Sequence, residues 1–331
     1  MTLPQNFNDN LKLPVVAAPM FLVSGPELVI ETCKFGVVGT FPALNQRTSD
    51  GFEDWVITIK QQLAEFESQT GEKATPFGVN LIAHRSNPRL EADLDICVKH
   101  EVPLIITSLG AVPSLIDKVH GYGGLVFHDV INLKFAKKAA EAGADGLICV
   151  SAGAGGHAGE MSPFALVSEI RQFFDKTILL AGCLSSGRDV ATAQMMGADL
   201  AYIGTRFIAT KEAMAQSDYK DMIVDSRAED IVYTPKISGV YANFLRPSLD
   251  RAGIDLAMTP DKTEIDFGSE LTMDDEKKKG AWKDIWSAGQ GVGSIDDVPH
   301  VKDLIHNMKK EYVQAVTQQA DQSKKFMEEE K

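Results

Sequence analysis

The chain has 331 residues, 44% hydrophobic and 24% charged, which is ordinary globular usage and excludes a collagen, a coiled coil or a wholly disordered chain. Its 33 basic and 46 acidic residues leave a formal net charge of −13, so a phosphate backbone would be repelled and no nucleic-acid role is expected. The four cysteines show no CxxC spacing, which points to reduced thiols and no disulfide, and no metal site is expected.

The N-terminal MTLPQNFNDN has neither a basic n-region nor an apolar h-region, so no secretory signal is expected and a cytoplasmic location is. The apolar run from Leu13 to Val23 is interrupted by Pro14 and Pro19 and falls short of the ~20 residues that a membrane helix needs, so no membrane association is expected. From there two patterns alternate. Short apolar runs stand at Val15–Pro19, Val37–Thr40, Phe77–Leu81, Leu104–Thr107, Leu125–His128, Gly146–Val150, Ile178–Ala181 and Leu200–Gly204. Near-continuous apolarity over so few residues is the mark of a strand buried on both faces. Between them lie amphipathic stretches such as Pro26–Phe35, Asp54–Gln69, Arg89–His100, Asn132–Ala142 and Ser186–Met196, the last followed by Gly197 at a usual C-cap position.

Strands alternating with helices give an α/β fold with a parallel sheet. An open doubly wound sheet is one arrangement. A count of eight and the spacing of the runs favour a closed (β/α)8 TIM barrel. After Lys211 the alternation stops. Ala213–Asp230 and Val301–Gln319 read as helices, and the polar region 259–280, with its DDEKKK run, reads as a solvated loop. The expected organisation is a barrel of residues 1–212 with part of the C-terminus, and a mostly helical segment, 213–331, capping one barrel end. The tail KKFMEEEK reads as a fraying helix end.

In such a barrel the residues just past each strand form the working face. At the late strands, AGCLSSGRDV and LAYIGTRF each pass from a strand end through glycine into a helix. Exposed N–H groups there attract an anion, so a phosphate is expected on the loops 182–187 and 204–206; tight turns are the other use of Gly182, Gly187 and Gly204. SAGAGGHAGE, 151–160, sets one histidine among four glycines, whose bare amides would line a flat ligand. His157 titrates near neutrality and suits proton abstraction or binding of an anionic substrate. His128 also stands at a strand end and is a weaker candidate; His84, His100, His120, His300 and His306 read as surface or packing residues. AAPM at 17–20 would let a planar ring lie against backbone, and the Asn80 amide can both donate and accept.

In order along the chain, APM (Ala18, Pro19, Met20), PFGVN ending in Asn80, GAGGHAG, AGCLSSG and GTRF together resemble the FMN-dependent nitronate monooxygenases, once called 2-nitropropane dioxygenases. The resemblance spans residues 13–210, with a weaker echo at WSAGQGVG, 286–293. It implies FMN at the carboxyl ends of the strands. Ala18, Pro19 and Met20 would lie by the isoalloxazine and Asn80 would contact it. Ala154, Gly155 and Gly156 would approach the cofactor, and Gly182, Cys183, Gly204 and Thr205 would bind its phosphate. His157 would be the catalytic histidine, acting on a nitronate or nitroalkane with O2. Gln290 is a further candidate; a monomer and a homodimer both stay open as the assembly. Two departures stand out: Cys183 replaces a common glycine, and FHDV, 127–130, lies where some members carry a lysine. The same motifs occur in FMN-dependent enoyl-thioester reductases that use NAD(P)H, the alternative activity.

Overall fold

The computed structural model describes residues 5–260 and 284–327. Its strands in chain order are β1 (Val15–Ala17), β2 (Val38–Pro42), β3 (Gly78–Ile82), β4 (Leu104–Ser108), β5 (Leu125–Val130), β6 (Gly146–Val150), β7 (Gly156–His157), β8 (Thr177–Ala181), β9 (Leu200–Ile203), β10 (Ile231–Thr234) and β11 (Ala242–Leu245). All but β7, β10 and β11 run parallel and close into one barrel, with β1 pairing both β2 (Val16↔Val38) and β9 (Val16↔Tyr202). The fold is the expected (β/α)8 barrel.

The period-2 alternation of each strand divides the core. Val16, Val38, Ile106, Phe127, Ile148, Leu179 and Tyr202 pack inside the barrel. Their neighbours Val15, Val79, Ile105, Val126, Leu147, Leu180 and Ala201 pack outward against the helices. Both faces of every barrel strand are therefore covered, which is why the runs are near-continuously apolar.

Helix boundaries follow local chemistry. Thr48 caps Ser49–Thr70 by accepting from the Gly51 N–H, and Gly71 ends that helix at φ 74°. Asn132 caps Leu133–Glu141, and a Ser186–Asp189 capping box opens Gly187–Met195. The helix Val301–Met327 packs across Gly187–Met195 so closely that a Cβ on Gly187 would stand 1.8 Å from the Met308 carbonyl oxygen. Gly187 therefore serves packing.

The segment after the barrel holds more strand than its sequence suggests. The helix there is shorter, Ser217–Asp225, and β10 and β11 form an antiparallel hairpin (Val232↔Phe244). β11 also pairs with β7, Asn243 opposite Gly156 and Ala242 opposite His157. Residues 261–280 of the expected polar loop, and the last residues of the tail, lie outside the described residues. No helix among the described residues is long and apolar enough to cross a membrane.

Candidate active site

A cavity of about 500 Å³ opens at the carboxyl ends of the barrel strands, within the ~300–1,000 Å³ usual for cofactor and substrate sites. Twelve of the residues marked from the sequence line it, namely Ala18, Pro19, Met20, Asn80, Ala154, Gly155, Gly156, His157, Gly182, Cys183, Gly204 and Thr205; the further candidate Gln290, and Gly187, do not. The twelve come from the ends of five barrel strands or the segments after them, and only the barrel brings them together. His84, His100, His120, His300 and His306 do not line the cavity. His100 and His120 meet Glu53 and Asp145, and His300 meets Glu212. Among the described residues no group of three or more His, Cys, Asp or Glu is placed to hold a metal ion.

The uppermost inward layer of β3, β4 and β5 is polar. Asn80, Ser108 and Asp129 follow the inward positions of Gly78, Ile106 and Phe127. The Asn80 amide nitrogen donates to Ser108 Oγ at 2.9 Å and to the Ile106 carbonyl at 3.2 Å. Ser108 in turn donates to Asp129 Oδ2. Asp129 Oδ1 is closed off from water and takes no donor among the described residues. In the sequence Ser108 stands at a strand end and Asp129 within FHDV, but neither takes a role there, because single polar residues at strand ends form no motif. His128, the weaker candidate of the sequence, also lines the cavity; it bonds Thr107 at 2.7 Å through Nδ1, and burial lowers its pKa to about 4.

Burial raises the Asp129 carboxyl pKa from 3.8 to about 6, against the opposing effect of the Ser108 hydrogen bond. A raised folded-state pKa gives stability that is fully present below the unfolded value and is lost as pH rises through the folded one. At neutral pH the ionised side chain then costs up to about 3 kcal/mol. Asp129→Asn is expected to raise the thermal midpoint of the apoprotein at about pH 7.5 and to be near neutral at about pH 4. Paired melts at the two pH values check this; a variant less stable at the higher pH contradicts it.

The glycine loop 153–156 is held from behind by the chain's last third. The Gly156 N–H donates to Ser287 Oγ at 2.7 Å, and the Ser287 hydroxyl donates to the Asn243 carbonyl at 2.6 Å. The Asn243 amide donates to the Ala154 carbonyl at 2.7 Å, and the Gln290 N–H to the Gly153 carbonyl at 2.8 Å. A Cβ on Gly155 would stand 2.9 Å from the Gly289 nitrogen. Trp286 lies between Tyr219, stacked at 4.8 Å, and the Arg251 guanidinium, 3.6 Å from its ring centroid. The faint WSAGQGVG echo thus marks the brace of the site. The expectation of bare amides across this loop is corrected: those of Gly156 and Gly159 are engaged, the latter by the Val150 carbonyl at 3.2 Å. His157 lies on β7, so its position is fixed by pairing to β11. Burial lowers its pKa to about 4, leaving a neutral imidazole at neutral pH.

The anion site is narrower than the expected 182–187 loop. The N–H groups of Ser185 and Ser186 donate to Asp189 Oδ2, each at 2.9 Å, and that of Gly187 to Glu311 Oε2 at 2.7 Å. Two carboxylates therefore already occupy that helix start. The N–H groups of Gly182, Cys183, Gly204 and Thr205 make no hydrogen bond among the described residues, and all four residues line the cavity. These free donors at two adjacent strand ends fit a phosphate. A Cβ on Gly204 would find only Met20 and Ala18, at 3.6 Å or more, so a larger side chain there would grow into the cavity. Arg206 turns away from the cavity to Asp297 at 2.8 Å.

The four cysteines are free thiols; Cys33, Cys97 and Cys149 are buried and Cys183 is exposed, at φ 57°. Burial and Asp189 hold the Cys183 pKa up.

The family model described as nitronate monooxygenase matches residues 88–311, more than half of the chain. A Mycobacterium tuberculosis relative named as a monooxygenase is 28% identical over 237 residues, covering 68% of this chain and 63% of its own, so the chain spans less than two thirds of that relative. A Rhodococcus jostii dehydrogenase of an indene-carboxyl-CoA is 25% identical over 331 residues, covering 88% of this chain and 90% of that one. The solved nitroalkane oxidase of Streptomyces ansochromogenes shares the fold, with a TM-score of 0.79 at 22% identity over 95% of this chain and 100% of its own.

Proposed function

The chain belongs to the nitronate monooxygenase family and is a flavin-dependent oxidoreductase, and we propose that it binds FMN and oxidises alkyl nitronates with molecular oxygen to a carbonyl compound and nitrite. The observation that carries this reading is the convergence of twelve of the marked residues on one cavity, with four uncommitted amides at its late-strand end. The N–H groups of Gly182, Cys183, Gly204 and Thr205 would hold the phosphate of FMN. Ala18, Pro19 and Met20, Asn80 and the 154–156 loop would border its ring. We take residues 1–212 with part of the C-terminus as the FMN barrel and 213–331 as its cover; Tyr219, Val240, Ser287, Gly289 and Gly291 already line the cavity.

The chemistry that bound FMN supplies is electron transfer from the nitronate to oxygen. His157 would accept the α-proton of a neutral nitroalkane, or hydrogen-bond a preformed nitronate. The second reading, reduction of an enoyl thioester with NAD(P)H, is favoured by the CoA thioester in the name of the Rhodococcus jostii relative.

The test is twofold. The purified protein should carry a flavin that is released intact as FMN on denaturation. It should also consume oxygen and form nitrite with ethyl nitronate. A colourless protein that takes up no FMN would overturn the reading. FMN occupancy should also register at Cys183. In the native apoprotein the exposed Cys183 is expected to react with a maleimide faster than the three buried thiols, and FMN should slow that reaction about tenfold or more. An unchanged rate at saturating FMN would move the phosphate away from Cys183.

A further inference from the structure

Asp129 is a poorly satisfied buried carboxyl. Its Oδ1 is shut away from water without a donor among the described residues, and a buried carboxylate in that state is costly. What it does have is one directed contact, Ser108 Oγ to its Oδ2, and Ser108 leads on to Asn80. The direction of that chain is fixed at both ends. The Ile106 carbonyl can only accept, so the Asn80 atom facing it must be Nδ2. An ionised carboxylate can only accept, so the Ser108 hydroxyl proton points to Asp129 and its lone pairs are left for the second Nδ2 proton of Asn80. Both amide protons of Asn80 are thereby spent on the barrel wall. Asn80 Oδ1, which takes no donor among the described residues, is the group left to the cavity that the residue lines.

We propose that Asp129, acting through Ser108, is a positioning residue that locks Asn80 with its carbonyl oxygen presented to the cavity, as the acceptor for a ring N–H of the flavin. The inference rests on the reading of the cavity as the FMN site. The oxidised isoalloxazine carries a single ring N–H, at N3, so the acceptor selects for that hydrogen. With Asn at 129 the side-chain amide could donate to Ser108 Oγ instead. The serine proton would then be free to turn toward Asn80, and the amide of Asn80 would lose its fixed sense.

The test is a binding comparison of FMN and N3-methyl-FMN, followed by flavin fluorescence, on wild type, Asp129→Asn, Ser108→Ala, Asn80→Ala and the Asp129→Asn/Asn80→Ala double variant. Wild type should prefer FMN over the methylated flavin by about tenfold or more, the scale of one desolvated hydrogen bond. Asp129→Asn and Ser108→Ala should each lose most of that preference, and Asp129→Asn should add nothing once Asn80 is alanine. Circular dichroism reports whether each variant is folded, and Ser108→Ala carries the test should Asp129→Asn not fold. A preference that survives in folded Asp129→Asn, effects that simply add in the double variant, or no preference in wild type would overturn the proposal while leaving FMN binding intact. Failure of wild type to bind either flavin would instead overturn the FMN reading beneath it.

Discussion

His157→Asn is expected to keep FMN and to lose turnover of neutral nitroalkanes by about 10²-fold or more, the usual contribution of a positioned general base. His157 is the one imidazole inside the glycine loop, and β7–β11 pairing sets its backbone at the cavity wall. Burial keeps the ring neutral, which is the proton-accepting form, and that form is lost only as pH falls toward about 4. The neutral-nitroalkane activity should therefore hold down to about pH 5 and fall below it, where an ordinary histidine would already fall near pH 6.5. Turnover of a preformed nitronate should drop far less in His157→Asn, because no carbon proton has to be removed. Steady-state rates on nitroethane and on ethyl nitronate, with the flavin content of each preparation, check both statements. Parallel loss of flavin and both activities would mean that the residue only braces the loop.

Gly204→Val is expected to raise the FMN dissociation constant by about 100-fold or more in a folded protein. Gly204 stands at φ −105°, which a valine can adopt, so the backbone need not object. A Cβ there meets only ordinary contacts, the nearest being Met20 Sδ at 3.6 Å, and the branched methyls beyond it would enter the space beside the Gly204 and Thr205 amides. The substitution should thus block the ligand and spare the fold. Gly187 makes the contrast: any side chain there strikes the Met308 carbonyl, so Gly187→Ala should unfold the protein more readily without touching the anion site. Isothermal titration of apoprotein with FMN, beside a urea melt of each variant, separates the two cases; unaltered FMN affinity in Gly204→Val would remove the phosphate from this strand end.

Much of this site could be read in advance because it depends on strand ends. Burial on both faces writes each barrel strand as a short apolar run, and the barrel then places whatever follows each run on one face. Ala18 to Met20, Asn80, the 153–157 loop, Gly182 and Gly204 needed no contact information beyond that. What stayed hidden depends on partners distant in sequence. Glu311 fills the helix start at Gly187 from 124 residues away, and Ser287 takes the Gly156 N–H from 131 residues away. Nothing local in either segment records the meeting. The β10–β11 hairpin was hidden for another reason: IVYT and ANFL are short, and the preceding Ser217–Asp225 helix extends its amphipathic pattern toward them. Asp129 was passed over because its importance comes from its neighbours on β4 and β3, with no spacing in the chain to announce it.

The central claim, that this cavity takes electrons from a nitronate through a bound flavin, is tested most directly by mixing the purified flavoprotein with substrate in the absence of oxygen. Ethyl nitronate should bleach the flavin absorbance rapidly, NADPH should do so slowly or not at all, and admitting oxygen should restore the colour. Rapid bleaching by NADPH together with an unchanged spectrum in nitronate would contradict the account and assign the cavity to a pyridine-nucleotide-dependent reductase.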